Sequence, residues 1–505
     1  MGRIAEALKA PGRKPEIRSA APTQRVHDQA VDSVVGYVVM PKQRLLDRWL
    51  DAVVAASGSE VALFITLSAL VAWALLGIKW HGEDKWQVVI SDIQAIVNYI
   101  YDSLLVRQQL NAYMDEMVAA AQVQSRLLSH ERMLLTLGEW RQAGHDISDD
   151  FHIDVAAMKT PMPKETLFGR FIEFIASIFG HLYTIIIFWI GVLVWLANGP
   201  HENWSDHWQL CMNTASACLM VFTFGFLANM RERRSAYSKK CFDSIFVVDS
   251  VLELKLRSLT DDDLENDTVV LPAPKMNRIQ RGIFYYADFV GTLVGICFLI
   301  TVMIAWIAVG PAMHFNDNWW LLIGTYAGLI GMNDAFVLRN MQARLNGYVD
   351  EQLERIDKMD DLLFEKIGLP LPELESVEDN SLITRISSKV GRACGHELTV
   401  IANVVLICGL IAASSAMKWT KAGQLVSNVP PNLIEAFLMI MLITGDNIVD
   451  AKKLATLRRV HQRRLALLSF VEGDADVVEE KCGKDHTMTK ISEQFDFNKS
   501  LDNAV

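Results

Sequence analysis

Eight long apolar segments alternate with charged stretches along this 505-residue chain. Hydrophobic residues make up 51% of the sequence and charged residues 21%, so the apolar residues are concentrated in these segments. Each segment holds about 17–25 mostly apolar residues, enough for a helix to cross a hydrocarbon layer about 30 Å thick. We therefore expect an all-α membrane protein with eight transmembrane helices. The segments are Val61–Leu76, Trp86–Leu105, Phe171–Ala197, Trp208–Met230, Phe289–Val309, Trp319–Leu338, Leu398–Ala416 and Leu433–Val449.

A short signal recurs where the second, fourth and sixth of these segments begin. It reads Asp-x-Trp at Asp84–Trp86, Asp206–Trp208 and Asp317–Trp319, and spacings of about 110–120 residues indicate an internal repeat. Two helices joined by a short polar loop and followed by a charged connector would form one unit, which predicts four helical hairpins with amphipathic cytosolic extensions. The expected divisions are a disordered cytosolic arm (1–43), four hairpins (44–110, 167–234, 281–340 and 385–453), cytosolic connectors (111–166, 235–280 and 341–384) and a cytosolic helix with a disordered tail (454–505).

Basic residues predict the orientation of the spans. They follow the second member of the hairpins, as at 231–240 and 452–464, whereas the loops within hairpins hold few. By the positive-inside rule, both termini and the long connectors face the cytoplasm. Tryptophans crowd the opposite ends, as an interfacial aromatic belt requires.

Other sequence features argue against several classes of site. Met1–Arg48 lacks the apolar run of a secretory signal, so we expect the first span to direct insertion. The seven cysteines are odd in number and show no paired spacing, which disfavours a disulfide framework and a thiolate zinc site. There is no Gly-rich phosphate loop, G-x-S-x-G or H-E-x-x-H motif. We expect a protein that is not an enzyme and that uses no cofactor and binds no nucleic acid.

Ionisable and amide side chains inside the apolar segments are the first candidate metal ligands. An unpaired carboxylate at membrane depth costs several kcal/mol, so its default interpretation is functional and interior-facing. The alternative is structural, with these acids paired to Arg107, Arg339 or Lys452 near the inner ends. The candidates are Asn98, Asp102, Asn333, Asp334, Glu435, Asp446 and Asp450, with Asp92 as a further buried acid.

Two further groups lie near the ends of the segments. Glu60, His181, His396 and Glu397 recur near the start of three first-member helices, where they could ring a pathway or simply sit at the interface. The loops within hairpins carry histidines and acids that could attract divalent cations, although the aspartates there could instead favour helix N-termini. These loop residues are His81, Glu83, Asp84, His201, Glu202, Asp206, His207, His314 and Asp317.

The repeated unit resembles the low-affinity iron permease family, which includes short bacterial single-hairpin members and longer fungal plasma-membrane iron(II) transporters. The resemblance rests on the Asp-x-Trp signal, the apolar run and an exit such as Val337–Arg344, and it covers most of Arg44–Gly473. The fourth hairpin lacks Asp-x-Trp and has Asn428–Pro431 instead. The matching residues are Asp84, Trp86, Gln87, Asp206, Trp208, Gln209, Asn229, Asp317, Trp319, Asn340 and Gln342.

The resemblance implies passage of Fe(II) with limited selectivity against copper and zinc. Inward movement of a divalent cation gains about 4.6 kcal/mol per 100 mV, so no ATP site is needed. We expect low-affinity uptake of transition metals across the plasma membrane into the cytoplasm, driven by the electrochemical gradient; a less selective cation channel would use the same pathway. The competing hypothesis is a membrane scaffold or sensor acting through the amphipathic stretches 108–141 and 344–366, which also make a homodimer plausible.

Overall fold

The computed structural model describes residues 12, 14–25, 36–37, 42, 44–80, 84–142, 162–372 and 382–472. Over these residues the protein is almost entirely helical. The elements are β1 (Ile17–Ser19), α1 (Leu45–Ser57), α2 (Glu60–Trp80), α3 (Asp84–Gln142), α4 (Leu167–Phe179), α5 (Leu182–Asn198), α6 (Asp206–Thr260), β2 (Val269–Leu271), α7 (Arg278–Val290), α8 (Leu293–Val309), α9 (Asp317–Ile367), α10 (Leu382–Cys394), α11 (Glu397–Ala416), α12 (Lys421–Val426) and α13 (Val429–Val471).

Four long helices form the centre of the fold. These are α3, α6, α9 and α13, with 59, 55, 51 and 43 residues. They pack in a ring in which α3 contacts α6 and α9, and α13 contacts the same two. At 1.5 Å per residue the helices are about 65–90 Å long, at least twice the thickness of a hydrocarbon layer. Each long helix therefore continues well beyond its apolar segment, and α3 runs through the predicted connector as far as Gln142.

Each repeat consists of three helical parts that follow one another along the chain. A 13-residue amphipathic helix (α1, α4, α7 or α10) leads to an apolar outer helix (α2, α5, α8 or α11), which a loop joins to the long helix. The outer helices leave most of their apolar side chains exposed, as at Ile187 and Val405. This pattern suits contact with lipid on the outside and the long helices on the inside.

Two of the eight spans predicted as continuous are broken. Phe171–Ala197 divides into α4 and α5, which meet at 52°. In Phe289–Val309 the break comes after only two residues, because α7 ends at Val290 and α8 supplies nearly all of the span; the two helices meet at 64°. Within the described residues six helices are long and apolar enough to cross a membrane, or up to eight if each bent pair counts as one span. After the break, His181 caps α5 by accepting a hydrogen bond from the backbone N–H of Tyr183, and Asn447 of α13 donates to the carbonyl of Ala176 at the end of α4.

Glycines mark the junctions between amphipathic and outer helices because neighbouring long helices approach closely there. A Cβ atom at Gly58 would lie 2.8 Å from the carbonyl oxygen of Ala228, and one at Gly180 would lie 2.2 Å from Asn447 Nδ2. Amide side chains fix these contacts: Asn229 donates to the carbonyl of Gly58, and Asn340 donates to the carbonyl of Gly395. Each junction is thereby docked on a long helix from another repeat.

Paired tryptophans join outer and long helices in three repeats. Trp73 stacks on Trp86 at 4.3 Å, Trp195 on Trp208 at 3.9 Å, and Trp306 on Trp319 at 4.2 Å between ring centroids. In every pair each indole N–H donates to the backbone carbonyl of the other tryptophan. The fourth repeat has Ser414 hydrogen-bonded to Ser427, with the same separation of 13 residues. We call these four contacts the clasps.

The extensions of the long helices form a second core. Leu127, Leu252, Phe364 and Leu467 come from the four different helices and are buried together. Part of the amino-terminal arm packs on this region: β1 pairs antiparallel with β2, Ile17 opposite Leu271. Residues 14–25 of the arm predicted as disordered thus include the strand β1, which hydrogen-bonds along the apolar β2. The predicted disordered tail from 473 onward lies outside the described residues.

Candidate functional site

Polar side chains line the middle of the long-helix ring, starting near the amino-terminal ends of the long helices. Asn432 donates to Asn213 at 3.0 Å and to Asn428 at 2.8 Å, and Asn213 donates to Ser91 at 2.8 Å. All four side chains are buried. They connect α13, α6 and α3 through amide and hydroxyl groups where an apolar core would otherwise be expected. We call this set the amide ladder.

Glycines on α9 leave space for polar side chains of α13, both in the amide ladder and at Glu435 below it. A Cβ atom at Gly328 would lie 3.1 Å from Asn432 Oδ1, and one at Gly331 would lie 2.7 Å from both carboxylate oxygens of Glu435. The spacing of Gly324, Gly328 and Gly331 places them on one face of α9. These glycines therefore place the backbone of α9 directly against polar side chains of α13.

Three acidic residues and one amide lie just inside the ladder. Asn98 donates to Glu435 at 3.1 Å. Asp102 is 1% exposed, and among the described residues neither of its carboxylate oxygens has a hydrogen-bond partner. The carboxylates of Asp334 and Glu435 are close enough to interact electrostatically with it. The structure thus brings together four of the predicted residues, Asn98, Asp102, Asp334 and Glu435, which we call the acidic cluster.

Asp334 is reached from the side of the ring. Tyr286 on α7 donates to Asp334 at 2.6 Å. A cavity of about 110 Å³ lies over it and is also lined by Tyr99 and Tyr326, whose hydroxyl groups are 3.3 Å apart. Asn333, another predicted ligand, accepts a hydrogen bond from Asn403 at 3.3 Å and also lies within hydrogen-bonding range of Asp334 and Tyr286.

The acidic cluster has the chemistry of a cation site. Carboxylate and amide oxygens suit divalent ions, and no lysine or arginine pairs with these three acids in the described part of the chain. In the described residues no three His, Cys, Asp or Glu side chains are already placed to hold one metal ion.

The two inner acids have a different environment. Asp446 accepts from Arg231 at 2.7 Å and from Gln342 at 2.5 Å. Asp450 pairs with Arg234 at 3.0 Å and with Lys453 at 2.9 Å. Both acids therefore form ion pairs, as the structural alternative to metal binding expects, but their partners are not the ones predicted from the sequence.

The predicted partners are occupied elsewhere. Arg107 binds Asp51 at 2.8 Å rather than Asp102, and Lys452 binds Glu354 at 2.9 Å. Arg339 donates to Gln342. The acidic cluster is consequently left without a cationic partner from this set.

The first-member helices do not bring their predicted ligands to the cluster. His181 and His396 cap α5 and α11, each accepting a backbone hydrogen bond. Glu60 binds Arg233 at 2.8 Å, and Glu397 binds Arg344 at 2.8 Å, so both acids tie an outer helix to a long helix. These contacts lie at the junctions and suit the interfacial alternative.

The loops within hairpins show capping of the long helices. Ser205 accepts from the backbone of Trp208 and Asn316 from that of Trp319, which places Asp206 and Asp317 in the first helical position. His201 and Glu202 lie 3.5 Å apart, and His207 lies 3.8 Å from Cys211. His314 is exposed. His81 and Glu83 lie outside the described residues, as does the side chain of Asp84.

Sequence reasoning missed the amide ladder and Tyr286. Asn213, Asn428 and Asn432 interrupt or border apolar segments, so the rule applied to the acids would have found them. No local signal connects Tyr286 to Asp334, because they are 48 residues apart and on different helices.

Comparison with known proteins bears on the whole chain. Residues 168–266, 284–363 and 383–497 match the family described as low affinity iron permease. The chain belongs to the low affinity iron permease family. The permease is 33% identical to the low-affinity iron/zinc ion transport protein fet4 of Schizosaccharomyces pombe, over 94% of this chain and 86% of that protein. It is 30% identical to the low-affinity Fe(2+) transport protein of Saccharomyces cerevisiae, over 94% of this chain and 98% of that one.

No solved structure matches the permease. Membership in a family of permeases makes it a membrane transport protein rather than an enzyme.

Proposed function

We propose that this permease carries Fe(II), and other transition metals such as zinc and copper, with low affinity across the plasma membrane into the cytoplasm. Its two relatives are named as low-affinity transporters of iron and zinc and of Fe(2+). The observation that carries the proposal is the acidic cluster, since buried carboxylates without a cationic partner are costly unless they serve a cation.

The proposed path follows the axis of the long-helix ring. A metal ion would lose water to the oxygens of the amide ladder and then meet Asp102, Asp334 and Glu435. An inward potential supplies about 4.6 kcal/mol per 100 mV for a divalent ion, so the electrochemical gradient is a sufficient driving force. Asp446 and Asp450 act in ion pairs on the inner side, and His181, His396, Glu60 and Glu397 act at the helix junctions.

The proposed topology has eight spans arranged as four hairpins, with both termini in the cytoplasm. In this arrangement each bent pair supplies one span, and its amphipathic half lies along the inner interface. Arg170 on α4 and Arg281 on α7 are consistent with that side. The extensions of α3, α6, α9 and α13 would then project into the cytoplasm as one bundle.

The scaffold hypothesis loses its main support. The amphipathic stretches that suggested a partner use Leu127, Leu134, Leu363 and Phe364 to pack within this chain. A homodimer remains a prediction from the sequence. A scaffold also has no need for three buried acids on the axis.

Reconstituted protein tests the proposal. In liposomes with an inside-negative potential we expect Fe(II) uptake that saturates and that Zn(II) reduces. Collapse of the potential with an ionophore should slow uptake. Folded protein that admits no Fe(II) under any potential would overturn the proposed function, and uptake that rises linearly with Fe(II) would favour a channel.

A further inference from the structure

A layer of leucines closes the ring below the acidic cluster. Each of the four long helices contributes one, and each side chain is fully buried. All four belong to the same apolar core. The layer consists of Leu105, Leu227, Leu338 and Leu442.

Cross-helix contacts place these leucines at one depth. Asn98 bonds to Glu435, and Leu105 and Leu442 each follow their partner in that pair by seven residues, which keeps them on the same helix faces. Gly331 abuts Glu435, and Leu338 follows Gly331 by seven residues.

The fourth leucine is located from the other side. Leu227 precedes Arg231 by four residues, and Leu442 precedes Asp446 by four. Because Arg231 and Asp446 are 2.7 Å apart, the two leucines lie at a similar depth. The layer therefore separates the acidic cluster from the arginines.

A chain of hydrogen bonds crosses the ring just below the leucines. Arg231 on α6 binds Asp446 on α13, and Gln342 on α9 binds the other oxygen of Asp446 at 2.5 Å. Gln342 also donates to the carbonyl of Leu442 at 3.0 Å, and Arg339 donates to Gln342. Arg231, Arg339 and Asp446 are each at most 8% exposed. We call this chain the latch.

Two glycines hold Arg339 in place. A Cβ atom at Gly445 would lie 2.3 Å from Arg339 Nη1, and one at Gly391 would lie 2.7 Å from Nη2. Gly445 belongs to α13 and Gly391 to α10. The guanidinium group thus fills a slot between two helices that a larger residue would occupy.

We propose that the leucine layer and the latch together are the closed cytosolic gate of the metal path, an inference that rests on the proposed function. An apolar constriction excludes water and with it a hydrated ion. Two buried guanidinium groups below it repel a divalent cation at close range. A metal ion in the acidic cluster can reach the cytoplasm only after the helices part and the contact between Arg231 and Asp446 breaks.

Smaller residues in the leucine layer test the gate. Leu227→Ala and Leu442→Ala should raise Fe(II) uptake at low potential by at least about fivefold, because the constriction admits water. Leu256→Ala is the matched control, since Leu256 is equally buried on α6 but lies in the cytosolic core. A purely structural role predicts uptake that falls or stays unchanged in all three variants, and that result would overturn the gate.

A reversible cross-link tests the latch. In a background with the native cysteines replaced, Arg231→Cys and Asp446→Cys are joined with a short bifunctional thiol reagent, which replaces the reach of the lost arginine and attaches through mixed disulfides. The cross-link should stop uptake, and reductant should restore it. Continued uptake by the cross-linked protein would contradict the gate while leaving the transport function standing. Absence of uptake in the unmodified protein would instead remove the proposed function itself.

Discussion

At the residue scale, the contact between Gly331 and Glu435 decides whether the acidic cluster can form. The carboxylate lies where a side chain on α9 would otherwise be, with its partner Asn98 on the far side. Gly331, which has no side chain, therefore contributes to the acidic cluster by leaving space for the Glu435 carboxylate.

Replacement of Gly331 by alanine should displace the Glu435 carboxylate. The added Cβ atom would meet both oxygens at 2.7 Å, and we expect Fe(II) uptake to fall by about tenfold, equivalent to about 1.4 kcal/mol. Gly347→Ala, on the same helix with no neighbouring atom within 4 Å, is the matched control and should transport normally. Equal uptake by both variants would show that the position of Glu435 is unimportant.

His130 gives a pH-dependent test of the bundle that the helix extensions form. Burial, followed by the charges of Arg464 and Arg126, lowers the pKa of His130 well below its usual range, so the folded protein keeps the imidazole neutral. The unfolded chain binds a proton there below about pH 6.5, so this residue lowers the free energy of unfolding by up to about 1.4 kcal/mol per pH unit as pH falls further.

The measurement is the difference in unfolding free energy between the native protein and His130→Gln at several pH values. A difference is needed because Asp249 lies in the same network and burial raises its pKa to about 6, which gives the opposite slope between about pH 4 and 6. Below pH 6.5 the native protein should lose stability faster than the variant. Parallel pH profiles would refute a neutral His130.

At the element scale, the clasps explain why Asp-x-Trp recurs. The tryptophan stacks on another tryptophan 13 residues earlier and exchanges two hydrogen bonds with its backbone. An interfacial belt would place the indoles towards lipid headgroups, but Trp208 and Trp319 are only 8% and 4% exposed. In the three repeats that carry it, the motif therefore fixes the outer helix to the start of the long helix.

Substitutions of Trp195 distinguish the contribution of the hydrogen bonds in a clasp from that of the ring stacking. Trp195→Phe keeps an aromatic ring but loses one hydrogen bond and should cost about 1 kcal/mol of stability. Trp195→Ala also loses the ring contact and should cost about 3 kcal/mol. Thermal unfolding in detergent measures both, with exposed Leu193→Ala on the same helix as the control. Equal effects of all three changes would contradict a structural clasp.

The elements differ in how well the sequence predicted them. The apolar segments and the continuation of α3 beyond the membrane follow from local composition and period. The break at Gly180 does not, because both sides of it are apolar and the bend depends on Asn447 of a distant helix. The serine clasp of the fourth repeat was hidden for a similar reason, since Ser414 and Ser427 share no sequence signal with tryptophan.

The features of the candidate site also differ in how well the sequence predicted them. Asn98, Asp102, Asp334 and Glu435 were found because charge and amide groups inside apolar runs are conspicuous. The sequence did not predict that Asp446 has a different environment from Glu435, because the two acids share a face of α13. Only the partner helix distinguishes them, because Arg231 lies beside one and Asn98 beside the other.

At the scale of the whole molecule, four unequal repeats build one axis. Three of the long helices supply acids near the middle of the ring, all four supply leucines below them, and α6 and α9 supply the arginines below those. The extensions of the same helices then pack into a bundle that holds the inner ends together.

The most direct test of the account is potential-driven Fe(II) uptake by liposomes containing Asp102→Asn or Glu435→Gln. We expect each change to reduce uptake by at least about tenfold, since a carboxylate that would bind the ion is lost. Glu351→Gln removes an exposed acid from α9 and should transport as the native protein does. Native rates in Asp102→Asn and Glu435→Gln, with both variants folded, would contradict a metal path through the acidic cluster.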